Sequence, residues 1–205
     1  MAKYGFLGSS FDPITNGHLT SAQEILDRLG FDKIFLMPSS SKRTDKKINA
    51  TDRQRLDMIE LAIKGNDRFD LETYELGVSA WQVYTYETMR VLKEKEEFKE
   101  HDLYFLMGAD LLQDIAIGDN WKHREELLSE NKFVVIRRSG LDMHEIVASS
   151  KLLRKYEHHF TFIYRGVDNN ISSSYIREEF EIGHNPRYYM PQAIYEYIRD
   201  NNLYQ

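Results

Sequence analysis

The sequence predicts an α/β protein built on a doubly wound, mainly parallel sheet with helices on both faces and further helices at its C-terminal end. Short apolar runs of strand length alternate with segments whose apolar residues recur at steps of three and four. That alternation starts at the first residues and implies βα units. A crossover through a helix returns the next strand in the same direction, so the strands run parallel. Ligands of such sheets sit outside the carboxyl ends of the strands, which makes the residues after each run the ones to search.

The strand-like runs are Tyr4 to Leu7, Lys33 to Met37, Leu103 to Met107, Phe133 to Ile136 and Phe160 to Tyr164, with a weaker one at Phe69 to Leu71. Between them, Leu19, Ala22, Ile25, Leu26 and Leu29 form one helical stripe, and Leu56, Ile59, Ala62 and Ile63 form another. Thr51 followed by Gln54 has the form of a capping box, and Gly30 suits a helix end. Ser172 to Phe180 and Gln192 to Arg199 are helical in pattern, with Pro191 placed to open the second. The run from Lys93 to Lys99, with Glu interleaved, reads as a solvated helix face.

Composition narrows the chemistry. The chain has 205 residues, and its 27 Lys and Arg against 33 Asp and Glu give a net charge of −6, with 41% hydrophobic residues and no cysteine. No repeat or linker divides it, so one domain over residues 1–205 is expected. Without cysteine there is no thiolate catalysis and no Cys-based zinc or iron–sulfur site. The histidines outside the first motif lack the helical spacing with acids that zinc requires, so no protein-held metal is expected. No apolar stretch reaches the roughly 20 residues that cross a bilayer, and the N-terminal residues lack a signal-peptide pattern, so a cytoplasmic location without membrane partners is expected. The acidic balance argues against coating nucleic acid. It leaves room for a single nucleotide, which needs only a few local cations.

The first strand runs directly into Gly8-Ser9-Ser10-Phe11-Asp12-Pro13-Ile14-Thr15-Asn16-Gly17-His18, after which a helix starts. Small residues let a backbone approach a phosphate closely, and a helix start offers free N–H groups and a positive dipole. His18 falls in the first turn of that helix. Taken singly, the same residues also fit a plain turn with His18 as a cap.

As an ordered set, Gly8 to His18 resembles the signature of the nucleotidyltransferase superfamily: a glycine-rich turn, Phe-Asp-Pro, then His or Thr, any residue, Gly and His. Thr15 takes the first of those last positions and His18 keeps the final one. A second family element, Ile171-Ser172-Ser173-Ser174-Tyr175-Ile176-Arg177, opens a late helix. Four further stretches resemble the bacterial nicotinate mononucleotide adenylyltransferase family. They are Glu75-Leu76 with Tyr84 to Met89; Phe105 to Leu112 followed by Trp121; Val135-Ile136-Arg137-Arg138; and Met190-Pro191 through Tyr197-Ile198 to Leu203-Tyr204. Thr15 to His18 and the triple serine also resemble phosphopantetheine adenylyltransferase, a shorter family. A non-catalytic nucleotide sensor on the same fold is the alternative of another class.

The resemblance implies a single nucleotidyltransferase domain of Rossmann-like fold. The reaction it implies moves AMP from ATP to nicotinate or nicotinamide mononucleotide, releasing pyrophosphate and forming the dinucleotide in NAD biosynthesis. Mg²⁺ is implied through the ATP phosphates. No enzyme nucleophile is needed, so catalysis reduces to positioning and neutralisation of developing charge. His18 would donate to an α-phosphate oxygen, and Gly8, Ser9, Ser10, Phe11 and Gly17 would form the ATP turn. Ser172, Ser173 and Arg177 would hold the outer phosphates, with Lys42 reaching the triphosphate. Gly108 and Asp110 would contact the nucleotide, and Thr85, Trp121 and Arg138 the pyridine mononucleotide. Bland alternatives stand beside these roles: a serine N-cap, an Asp helix cap, a core Trp and a solvated Lys. The chain departs from the pattern at Val83, where the family has Ser, at Ser139, where it has Pro, and in the loop Ser39 to Lys47, where it has Pro-Pro-His-Lys.

Overall fold

Six strands pair in the order β3-β2-β1-β4-β5-β6 in a computed structural model that describes residues 1–42, 47–78, 83–119 and 121–205. They are β1 (Lys3–Ser9), β2 (Lys33–Pro38), β3 (Phe69–Leu71), β4 (Asp102–Gly108), β5 (Lys132–Ile136) and β6 (Phe160–Ile163). Every neighbouring pair is parallel. All six expected runs are strands, with boundaries shifted by a residue or two.

The helices are α1 (Asn16–Leu29), α2 (Asp52–Ile63), α3 (Tyr74–Gly77), α4 (Thr85–Glu94), α5 (Ala109–Ile117), α6 (Arg124–Glu130), α7 (Met143–Ser149), α8 (Lys151–Lys155), α9 (Ser173–Glu181) and α10 (Gln192–Asp200). Alternation along the strands splits their apolar residues between two cores. Phe6, Phe35, Met37, Phe105, Met107, Phe133 and Val135 face α4 to α8. Ile34, Leu36, Leu106, Val134 and Ile136 face α1, α2, α9 and α10. Helices therefore cover both faces, as the sequence predicts. A strand buried on both sides has to be apolar throughout, which is why these runs read as continuous rather than alternating.

Several local expectations hold. Thr51 accepts from the Gln54 backbone while the Gln54 side chain caps Thr51 in return, a reciprocal box that opens α2. α1 ends at Gly30, and Pro191 immediately precedes α10. The charged run Lys93 to Lys99 is not one helix face, because α4 stops at Glu94. Phe98 lies in the middle of that run and is buried in the core, so the chain turns to bring it in. Lys95 meanwhile places its Nζ 2.6 Å from the buried Glu72 carboxylate. A buried aromatic overrides the charge pattern there.

The strand order reverses between β1 and β4. In this topology that is the switch point, where the loops leaving two adjacent strands diverge and open a crevice. Pairing of β1 with β4 ends at Leu7 and Leu106, while Gly8 and Ser9 stay paired with Met37 and Pro38 of β2, so the two strands part at Gly8.

Candidate active site

The turn after β1 carries the first half of the site. Phe11 has φ 48°, in the left-handed region that a bulky residue adopts only when its surroundings impose it. Its ring is fully buried, 4.9 Å from the His18 imidazole. Thr15 is the N-cap of α1 and forms a capping box with His18 in place of the usual Glu or Gln. The Thr15 backbone N–H donates to His18 Nδ1 at 3.1 Å, and the His18 backbone N–H donates to Thr15 Oγ1 at 3.3 Å. Because an N–H occupies the Nδ1 lone pair, the imidazole proton is assigned to Nε2. That nitrogen lies 3.2 Å from Ser9 Oγ at the mouth of the crevice.

Enclosure of the ring, with the Arg138 guanidinium adding repulsion, lowers the His18 pKa to about 3. His18 is thus a neutral Nε2–H donor at physiological pH. The capping and the functional reading of His18 turn out to be one arrangement: the cap fixes the tautomer that presents the donor.

A narrow cleft lined by Leu7, Gly17, His18, Gly108, Arg138 and Ile171, among others, opens beside this nitrogen. Two glycines have close neighbours, backbone at Gly17 and movable side chains at Gly108. A Cβ on Gly17 would stand 2.5 Å from the Ile171 carbonyl oxygen, which is backbone and cannot yield. A Cβ on Gly108 would meet Asp110 Oδ1 at 2.3 Å and Arg138 Cδ at 3.1 Å. Arg138 Nη1 lies 3.9 Å from Asp110 Oδ2. The structure therefore gathers Arg138 with His18, Gly108 and Asp110 on the β1–β4 side.

α9 carries the second half. Ser172 is its N-cap, accepting from the Tyr175 N–H at 3.1 Å. Ser173 is buried and donates to the Pro13 carbonyl at 2.7 Å. The Ser173 O–H is thus committed to backbone, whereas Ser172 only accepts and keeps its own O–H to donate. Arg177 donates from Nη1 to the Asp12 carbonyl at 2.6 Å and lines a cleft of about 400 Å³ with Lys47, Asn49, Ser174, Glu178 and Tyr204. Segment 11–15 runs between this cleft and the His18 cleft. Lys42 is exposed, and its backbone N–H bonds Ser40 Oγ. Lys47 lines the same cleft as Arg177. Residues 43–46, between the two lysines, lie outside the described residues.

The buried Phe11 ring packs against His18 within the turn after β1. Three residues not singled out by the sequence hold the site together. Asp12 is 1% exposed and its carboxylate accepts from the backbone N–H of Asn49 at 2.7 Å, that of Ala50 at 3.0 Å and the Tyr204 hydroxyl at 2.7 Å. Arg55 is fully buried and donates to the Ser10 carbonyl at 2.6 Å and to Asp52 at 2.5 Å. Asp12 and Tyr204 stood inside stretches that carry the family resemblance, though no role was read for either, whereas nothing local marks Arg55.

The acceptor side is aromatic. Thr85 opens α4, half-buried. The His123 ring stacks on Tyr86 at 4.8 Å and meets Tyr84 edge-on at 5.4 Å, which draws the segment containing Trp121 against the start of α4. Trp121 is partly buried against the core beneath β4 and α5. Ser139, the departure from the family's Pro, has φ 59°, which a proline ring locked near −65° cannot adopt. Residues 79–82 and 120 lie outside the described residues.

The comparisons with known proteins bear on all of this. The cytidylyltransferase-like family pattern matches residues 6–179. The chain belongs to the cytidylyltransferase-like family. A probable nicotinate-nucleotide adenylyltransferase of Clostridium botulinum strain Alaska E43 is 34% identical over 209 residues, covering 100% of this chain and 99% of the relative. Its counterpart in strain Hall is 33% identical over 208 residues, with full coverage of both. Among solved structures, the Plasmodium falciparum nicotinic acid mononucleotide adenylyltransferase complexed with NaAD superposes with a TM-score of 0.79 at 23% identity, covering 100% of this chain and 98% of that one. The first resemblance read from the sequence is borne out, and so is the Rossmann-like α/β fold.

Proposed function

We propose that the chain transfers AMP from ATP to nicotinate mononucleotide, forming the dinucleotide and pyrophosphate, as the names of its full-length relatives describe for them. The observation that carries this reading is the fixed Nε2–H of a neutral His18 at the switch point of the sheet. A neutral donor suits in-line attack on a phosphorus, because it stabilises charge developing on a non-bridging oxygen without giving up its proton. The acceptor phosphate supplies the nucleophile, so no side chain need form a covalent intermediate.

In this reading the adenosine lies along Gly17, Gly108 and Asp110, and its α-phosphate meets His18 Nε2. Arg177 and Lys47 take the outer phosphates and the departing pyrophosphate. Thr85 and Trp121 hold the pyridine end, and Arg138 bridges the two halves. Among the described residues no group of three or more His, Asp or Glu side chains is placed to hold a metal. Mg²⁺ would enter on the ATP phosphates, as it commonly does, and beside Arg177 and Lys47 would supply further neutralisation of phosphate charge.

The test is a pyrophosphate-release assay with ATP and, in parallel, nicotinate mononucleotide, nicotinamide mononucleotide or phosphopantetheine. Release with the nicotinate form above both others is expected. Release only with phosphopantetheine would move the chain to another branch of the chemistry, and ATP binding without release from any acceptor would make it a sensor.

A further inference from the structure

Tyr204 and Asp12 are 192 positions apart in the chain, yet the Tyr204 hydroxyl donates to Asp12 Oδ1 at 2.7 Å. To place it there the Tyr204 backbone adopts φ 62°, the left-handed region that costs a bulky residue conformational energy. Burial and the adjacent Asp12 charge push the phenol well above its ordinary range, so it remains a protonated donor. With Asn49 and Ala50 it supplies the third close donor to a carboxylate that water does not reach. Arg177 stands back from the same carboxylate, with Nη1 3.7 Å from Oδ2. Its Nη2 makes only a long contact of 3.4 Å to Ser174 Oγ, leaving that edge of the guanidinium to the cleft shared with Lys47.

We propose that Tyr204 is a positioning residue for ATP: by satisfying the Asp12 carboxylate it leaves the Nη2 edge of Arg177 to phosphate, while Nη1 stays anchored on the Asp12 carbonyl. The inference rests on the adenylyl-transfer reading above. A buried carboxylate that loses a donor draws in the nearest available cation, since leaving it unsatisfied is costly. Arg55 cannot answer, because its two terminal nitrogens are committed to Ser10 and Asp52. Arg177 can, and by closing on Asp12 it withdraws from the cleft.

The experiment is Tyr204→Phe, with the affinities for ATP and nicotinate mononucleotide measured separately by calorimetry. ATP affinity should fall by roughly tenfold, the scale of one hydrogen bond to a charged group. Mononucleotide affinity and kcat at saturating ATP should hold. In the Arg177→Lys background the same substitution should add little, because its route to ATP runs through the guanidinium. Unchanged ATP affinity, equal weakening of both ligands, or full additivity with Arg177→Lys would each overturn the inference. If the variant is less stable, the ATP-induced rise in Tm is read in place of calorimetry with the same criteria, and a variant that never folds makes the pair a folding contact and overturns the inference too. A parent protein that binds no ATP would overturn the adenylyl reading and this inference together, whereas a parent that binds ATP no better than the variant overturns the inference alone.

Discussion

The two halves of the crevice are held by different kinds of force. On the nucleotide side, side chains are pinned to backbone atoms distant in the chain: Thr15 to Ile171, Ser173 to Pro13, Arg177 to Asp12, Asp12 to Asn49 and Ala50. On the acceptor side the described contacts are mainly rings on rings, with His123 between Tyr84 and Tyr86 and Trp121 against the core. Hydrogen bonds are directional and fix an atom to within tenths of an ångström, while apolar faces fix a plane and tolerate sliding. In the proposed reading, the half that aims donors at a reacting phosphorus is built from the first, and the half that grips a flat ring from the second.

The strongest way to break this contrast is at His18. His18→Ala should lower turnover by roughly 10²- to 10³-fold, the scale for removing one donor to a developing charge. Binding of ATP and of the mononucleotide should change far less. Turnover within a few fold of the parent would leave His18 as a helix cap alone and remove the basis for calling this half the reacting one.

The acceptor half is tested by Trp121→Ala. Loss of a stacking face is worth about 1–3 kcal/mol by analogy with aromatic–base stacking, so mononucleotide affinity should fall by roughly ten- to a hundredfold. ATP affinity should hold, and Trp121→Phe should recover part of the loss. If both ligands weaken together with a large fall in Tm, Trp121 is core and the contrast fails on its apolar side.

A smaller effect separates two lysines of one loop. Lys47→Ala should weaken ATP by about threefold, the modest scale of an exposed charge pair, and the loss should shrink with added salt. Lys42→Ala should leave ATP binding unchanged. The reverse ranking would restore the sequence-based choice of Lys42.

The choice between these two lysines shows what was legible. The fold could be read because strands buried on both faces must be apolar along their length, and helices with one buried stripe must repeat every three or four residues. Both patterns are local. The motif residues could be read for the same reason: Gly8 to His18 is one continuous turn, and Ser172 to Arg177 is one helix start. Lys42 against Lys47 depended on the path of a loop. The use of the Ser173 hydroxyl depended on a carbonyl 160 positions away. Arg55 carries no periodic or motif signal, because its partner Ser10 lies in the turn after β1; Tyr204 stands in a family stretch, but its partner Asp12 is 192 positions away. That the Phe11 ring packs inward on His18 was not legible, since sequence does not say which side of a turn a ring takes. At Ser139 the departure from the family's Pro was visible, but its meaning was not until φ was known.

The last test expects no change where an ordinary histidine would show one. An unperturbed imidazole titrates near 6.5, whereas in the fold His18 is lowered to about 3. Between those values the unfolded chain binds more protons than the folded one, so stability from this group rises with pH, is fully present above about 6.5 and is lost as pH falls towards 3. Over pH 5 to 8 the folded protein should therefore show His18 with Nε2 protonated and Nδ1 bare throughout, read from nitrogen–proton correlation spectra of the ring. Any inflection of the rate in that range then belongs to the substrates, whose phosphate monoester loses its second proton near about pH 6. A His18 resonance that titrates with a midpoint near 6.5 would mean the imidazole is not held by the Thr15 N–H. The nucleotide half would then lose the fixed donor that sets it apart from the acceptor half.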